Sequence, residues 1–313
     1  MSIGNKIKKV LPFIGIVIFV YLLIKFNVFE IVKEISQANL FYLMLAIFVV
    51  FCSFIIQTLK WHLIALKQEI NIGFKEAFKI NLISHFYGFV TPSKIGSIIR
   101  VNYLKKYTGN IGKGISNFVL DKILDISSIF FLAIIFLFIF KSSFSFLPIN
   151  YFIIFFVFFV FISFIFLKKK RAKFLLSLFY GRVLPKGLKK KAKSTFNSFY
   201  EDIPQKRFLF LFFLLNIINW IVIYFVTFLL GLSVGINLPF VYYLAILPIG
   251  TLVALIPITI NGLGTREATV ISLFSLFGIS AQKVFSMSIL SLLFMGILPS
   301  IIALFFVYRK RLK

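Results

Sequence analysis

The stretch Thr91-Pro-Ser-Lys-Ile-Gly-Ser-Ile-Ile-Arg100 breaks an apolar run with proline, glycine and arginine, where a plain membrane helix would continue. A second stretch, Ile256-Pro-Ile-Thr-Ile-Asn-Gly-Leu-Gly-Thr-Arg-Glu267, does the same in the other half of the chain. Proline removes a backbone donor, and glycine loosens the helix around it. The polar groups released in this way survive in a bilayer only against protein or a watered cavity. Paired interruptions in the two halves of a membrane protein point to a substrate site built from broken helices.

The surrounding sequence is consistent with a bilayer. The chain has 313 residues, of which 60% are hydrophobic, and several runs reach the roughly 20 residues a membrane helix needs. The expected fold is all-α: a polytopic helical membrane protein with a single transmembrane domain over residues 1–313. It would hold six full spans near residues 10–26, 39–60, 116–140, 147–167, 208–232 and 282–307. The interrupted regions, 76–108 and 238–279, are read as re-entrant hairpins or tilted spans. Lys6, Lys8 and Lys9 precede the first apolar run, but no small-residue cleavage pattern follows it, so a retained helix is expected. Phenylalanine is spread over the spans and reads as lipid-facing bulk. The single cysteine, Cys52, excludes an internal disulfide.

The net charge of +26 sits mainly in loops, which fits the positive-inside rule better than nucleic-acid binding. The basic loop 168–207 carries Lys168, Lys169, Lys170, Arg171, Lys173, Arg182, Lys186, Lys189, Lys190, Lys191 and Lys193, and should be cytoplasmic. Both termini, including Arg309 to Lys313, should be cytoplasmic as well, in a cell (plasma) membrane. Counting crossings from an inside N-terminus, a full span at 76–90 would put Lys94, Arg100, Lys105, Lys106 and Lys113 outside. A hairpin that returns to the cytoplasm removes that conflict. Region 238–279 must begin and end outside, so the two hairpins would enter from opposite faces, as an inverted repeat predicts.

Candidate binding residues follow from charge beside broken helix. A half-helix N-terminus presents N–H groups and a positive dipole end, which suits an anion. Lys94, Arg100 and Arg266 add full positive charge, and arginine suits phosphate because its fork donates two hydrogen bonds. Lys94 and Arg100 read equally well as cytoplasmic anchors. Adjacent Arg266 and Glu267 point in different directions and need other partners. Asn117, Asp121, Asp125 and Ser128 share one helix face, which should turn toward protein. Asn216, Asn219 and Thr227 read as interhelical hydrogen-bonding groups. Asn81, Ser84, His85 and Gly88 line the arm before the first break. Trp61 and Tyr103 read as interface anchors. No nucleotide-binding loop or catalytic metal or serine motif is present, so no cofactor, metal or catalytic residue is expected.

These motifs resemble the flippase-like integral membrane family, the transmembrane region of lysylphosphatidylglycerol synthases, in its stand-alone form. The first family motif has Pro, then Gly-Glu, then Arg; here it is Pro92, Gly96, Ser97 and Arg100. The second has Pro, then Gly-x-Gly, then Glu; here it is Pro257, Gly262, Gly264 and Glu267. The helix Leu120-Asp-Lys-Ile-Leu-Asp125 is similar to the family pattern too. Ser97 stands where relatives commonly have Glu, so Arg100 needs another acid here or a more negative substrate. The soluble aminoacyl-transferase domain of the synthases is absent, so the resemblance implies lipid translocation and not lysine transfer.

The expected function is therefore that of a flippase. It would move the anionic headgroup of a phospholipid or polyprenyl-phosphate-linked sugar between leaflets, with no enzymatic activity. The alternatives are a non-transporting partner of a membrane glycosyltransferase and a small-solute carrier.

Overall fold

The computed structural model describes residues 3–142, 144, 149–167, 169–171, 173, 186–201 and 203–311. Within these, the side chains of 3–13, 164, 166–167, 186–192 and 309–311 are not described. The expectations for Lys6, Lys8, Lys9, Lys168, Arg182, Lys186, Lys189, Lys190, Lys191 and the C-terminal Arg309 to Lys313 cluster therefore lie outside the described side chains.

Among the described residues the chain is helical throughout. The helices are α1 (Ile3–Lys25), α2 (Val28–Ser36), α3 (Leu40–Lys67), α4 (Phe74–Phe89), α5 (Ile99–Thr108), α6 (Ile111–Ile139), α7 (Ile149–Leu167) and α8 (Lys186–Phe199). They continue as α9 (Lys206–Ser233), α10 (Phe240–Leu255), α11 (Thr265–Ser275), α12 (Ala281–Ser291) and α13 (Leu298–Arg311). A short 3-10 turn, Ile95–Ile98, leads into α5, and a π turn, Leu292–Ile297, joins α12 to α13.

Four helical stretches are long and apolar enough to cross a membrane: Leu40–Lys67, Ile111–Ile139, Lys206–Ser233 and Ala281–Tyr308. The bent pair Ile14–Lys25 and Val28–Ser36 makes a fifth if taken together. By length and composition, the described residues thus account for four or five of the expected six spans. The first helix turns by 78° into α2, at Asn27, which has φ 58° and caps α2 by accepting from the Phe29 N–H. α7, Ile149–Leu167, has 19 residues, or about 28 Å of helix against a core of about 30 Å, so it is close to spanning length. The chain is a multi-pass membrane protein whose long helices agree with the apolar runs.

The central bundle is α3, α6 and α9, with α10 laid against α6. Its buried core includes Leu132, Tyr224, Tyr243, Phe274 and Met287. One end of the bundle is marked by the Gln68–Ser116 and Asn110–Ser198 hydrogen bonds and by Lys67 over the Phe208 ring. The other end is marked by the Asn39 N–H donated to the Ser233 carbonyl and by Lys283 at the Gly235 carbonyl.

Both sequence interruptions are helical hairpins. In the first, α4 stops at Phe89, just before Pro92, and Ser93 and Lys94 take left-handed φ values of 50° and 55°. The chain then doubles back: Ser84 Oγ donates to the Ser97 carbonyl at 2.8 Å. Thr91 Oγ1 staples the tip, donating to the Tyr87 carbonyl and accepting from the Gly96 N–H. Gly96 is required there, because a Cβ would run into the Tyr87 backbone. In the second hairpin α10 ends at Ile256, and Asn261, Gly262 and Gly264 all have positive φ. A Cβ at Gly262 would strike Ala254 of the entering arm, α10. The hairpins meet tip to tip. Pro92 and Ile260 form an isolated antiparallel bridge, and Ser93 Oγ donates to the Leu255 carbonyl at 2.9 Å.

Candidate functional site: an ion network beside two hairpin tips

The polar stripe of α6 does face protein. Asn117 and Ser128 are fully buried and Asp121 is nearly so. Asp125 lies fourteen residues beyond Ile111, about 21 Å along the helix, where α6 passes into its apolar half. A carboxylate there is costly unless paired, and the pairing comes from a residue that the sequence reading passed over.

Lys60 of α3 is 2% exposed. Its Nζ lies 3.2 Å from Asp121 Oδ1 and 3.2 Å from Asp125 Oδ1, and donates to Asn216 Oδ1 at 2.6 Å. Trp220 Nε1 donates to Asp125 Oδ1 at 3.1 Å, while Lys122 is 3.8 Å from Asp125 Oδ2. Arg100 Nη2 donates to Asp121 Oδ2 at 2.6 Å, and its guanidinium stacks over Trp61 and Phe118. The span expected over 39–60 had been ended at this lysine. In the structure the helix continues to Lys67, because two carboxylates neutralise the charge. A signal was available: Ser53, Gln57, Lys60 and Gln68 fall on one face of α3.

Trp61 is not an interface anchor. It is fully buried beneath Arg100. Asn216 does hydrogen-bond across helices, but its partner is an ammonium group and not another amide. Arg100 finds its acid in Asp121, while Ser97, at the position expected to hold Glu, is buried and donates to the Lys94 carbonyl.

The remaining predicted residues lie around the hairpin tips. Glu267 Oε2 accepts the Gly264 N–H at 2.6 Å and closes the start of α11. Arg266 Nη2 donates to Ser291 Oγ at 3.2 Å. Among the described residues neither Arg266 nor Lys94 has a carboxylate within ion-pair distance. Both are half-buried, and Lys94 is within electrostatic reach of Lys122, Asp125 and Arg266. His85 Nε2 is buried with no hydrogen-bond partner. The Gly96 and Gly264 N–H groups, expected to meet an anion, are satisfied within their own hairpins. Pro92, Gly96, Pro257, Gly262 and Gly264 thus shape the tips, and Lys94 and Arg266 are the charges left to meet a ligand.

A comparison with known protein families matches residues 10–303 to the lysylphosphatidylglycerol synthase TM region. The chain belongs to this family. A comparison with curated proteins gives no match. The match to the lysylphosphatidylglycerol synthase TM region spans both hairpins and the ion network, and it makes a membrane-lipid role the natural frame for the site.

Proposed function

We propose that this protein is a lipid translocase that moves the anionic headgroup of a phospholipid or polyprenyl-phosphate-linked sugar between leaflets. The observation that carries this reading is the pair of unneutralised cations, Lys94 and Arg266, one from each of two touching hairpins. A charge deep in a membrane costs roughly 2.5–3.5 kcal/mol even on a lenient scale, so two without acids call for a negative guest. The family match supports a lipid as that guest. So does an open, mostly apolar groove of about 580 Å³ between α4 and α13, lined by Phe86, Tyr87, Leu304, Phe305, Val307 and Tyr308. A groove of that kind lets acyl chains stay in the bilayer, whereas a small-solute carrier has no use for it.

In this mechanism Lys94 and Arg266 hold the headgroup, and the Lys60–Asp121–Asp125–Arg100 network holds the helices that carry the hairpins. The protein itself makes and breaks no covalent bond. We further propose a cell-membrane location with both termini cytoplasmic, hairpins entering from opposite faces, and a glycosyltransferase only as a consumer of the moved lipid.

The test is reconstitution into vesicles with a fluorescent anionic phospholipid and a membrane-impermeant quencher. The protein should speed loss of inner-leaflet signal, and Arg266→Ala should remove that acceleration. Unchanged rates in the variant would overturn the role of Arg266; no acceleration by the native protein with any anionic lipid would overturn the function.

A further inference from the structure

The charges around the site do not balance, and the imbalance has a definite size. Lys60 and Arg100 are matched to Asp121 and Asp125 by direct contacts. That leaves Lys94, Lys122 and Arg266 against Glu267, which is three cations against one carboxylate. Glu267 spends Oε2 on the Gly264 N–H at the start of α11 and makes no ion pair with any of them among the described residues. Asp125 offers Lys122 only its Oδ2, at 3.8 Å, because Oδ1 already receives Lys60 and Trp220. The excess is therefore two positive charges.

The three cations come from three elements: the tip of the first hairpin, α6, and the start of α11. Lys94 and Arg266 sit on the two touching hairpins, and Lys122 lies beside Asp125, which is itself within electrostatic reach of Lys94. His85 lies on α4, the arm that leads to the Lys94 tip, and its buried Nε2 has no hydrogen-bond partner. Like charges at such range repel, most strongly where water is scarce. A single small anion with several free oxygens would offset this excess. A phosphodiester has one charge and two free oxygens. A terminal phosphate monoester has three free oxygens and up to two charges, and a diphosphate has more oxygens still.

We propose that the ligand of this site is a doubly charged phosphate group, a terminal monoester or a diphosphate, in preference to a singly charged phosphodiester. The proposal rests on the translocase reading for the ligand being a lipid; the charge preference itself rests on the balance of side chains.

The experiment measures the binding of short-chain probes to the full chain in mild detergent, by thermal shift and by titration. The probes are dioctanoyl phosphatidic acid, farnesyl diphosphate, dioctanoyl phosphatidylglycerol and inorganic pyrophosphate. The first two should bind at least about tenfold tighter than phosphatidylglycerol, the effect of one added charge-assisted hydrogen bond. Lys122→Gln, at a partly exposed position, should keep the fold and shrink that preference. Arg266→Lys should retain it, and Arg266→Gln should lose it. Equal or tighter binding of phosphatidylglycerol would overturn the charge preference while leaving lipid translocation standing. Binding of none of the four would overturn both. Pyrophosphate binding as tightly as farnesyl diphosphate would uphold the double charge and overturn the lipid.

Discussion

Lys60 shows how one buried cation can organise several helices. It reaches two acids on α6 and an amide on α9 from its place on α3. Removing one partner of a buried ion pair leaves the other uncompensated, at a cost of about 3–5 kcal/mol. Lys60→Met should therefore lower the melting temperature in detergent by the equivalent of that loss. The double variant Lys60→Met, Asp125→Asn should lose less than Lys60→Met alone, because Asp121 keeps Arg100. A larger loss in the double variant would contradict the network. Glycine gives a second contrast at this scale. Gly96→Ala must push against the Tyr87 backbone and should disrupt the first hairpin, whereas Gly73→Ala meets nothing within 4 Å and should change the melting temperature little. In the sequence, the acidic face of α6 was visible because charge in apolar surroundings has few readings. Lys60 was hidden because a lysine at the edge of a hydrophobic window looks like the end of a span. Only the partners, which are distant in sequence, reveal that it is inside.

The helical breaks were legible because Pro92, Gly96, Pro257, Gly262 and Gly264 act on their own backbone, and that effect is local. The contact between the tips was not, since a bridge from Pro92 to Ile260 depends on how two distant hairpins pack. Partners in an antiparallel bridge have Cα atoms about 4.5–5.5 Å apart, within disulfide range. In a Cys52→Ser background, the pair Pro92→Cys and Ile260→Cys should crosslink under mild oxidation and stop lipid movement, and reduction should restore it. Rapid movement in the fully crosslinked protein would show that the tips need not part. The span count was less legible. Composition shows where apolar residues run, but a left-handed Asn27 that bends α1 into α2 leaves little trace in hydropathy.

Taken whole, the molecule has one strongly basic end. Lys67, Lys75, Lys105, Lys106, Lys113, Lys206 and Arg207 lie where α3, α4, α5, α6 and α9 begin or finish, while Lys25, Glu30, Lys33, Glu34 and Lys283 give the opposite end mixed charge. The orientation proposed above, by the positive-inside rule, puts the basic end in the cytoplasm. In sealed, right-side-out vesicles lacking Cys52, an impermeant thiol reagent should label Ser275→Cys and spare Ser194→Cys; the reverse pattern would invert the protein. This asymmetry was plain in the sequence, because orientation is written in loop composition and needs no knowledge of packing.

The π turn at Leu292–Ile297 means that the last crossing carries a surplus residue, parked where Gly296 lies against the Phe89 ring. Such a bulge is slack in an otherwise taut rod. Deleting Leu293 should draw it into ordinary α-helix while the helix beyond keeps its facing. Phe305 and Tyr308 would then stay in the groove they share with α4, and only the slack would be lost. A deletion variant that still melts cooperatively yet no longer moves lipid would identify this slack as the bearing on which the carrier turns; full transport would show that it is idle.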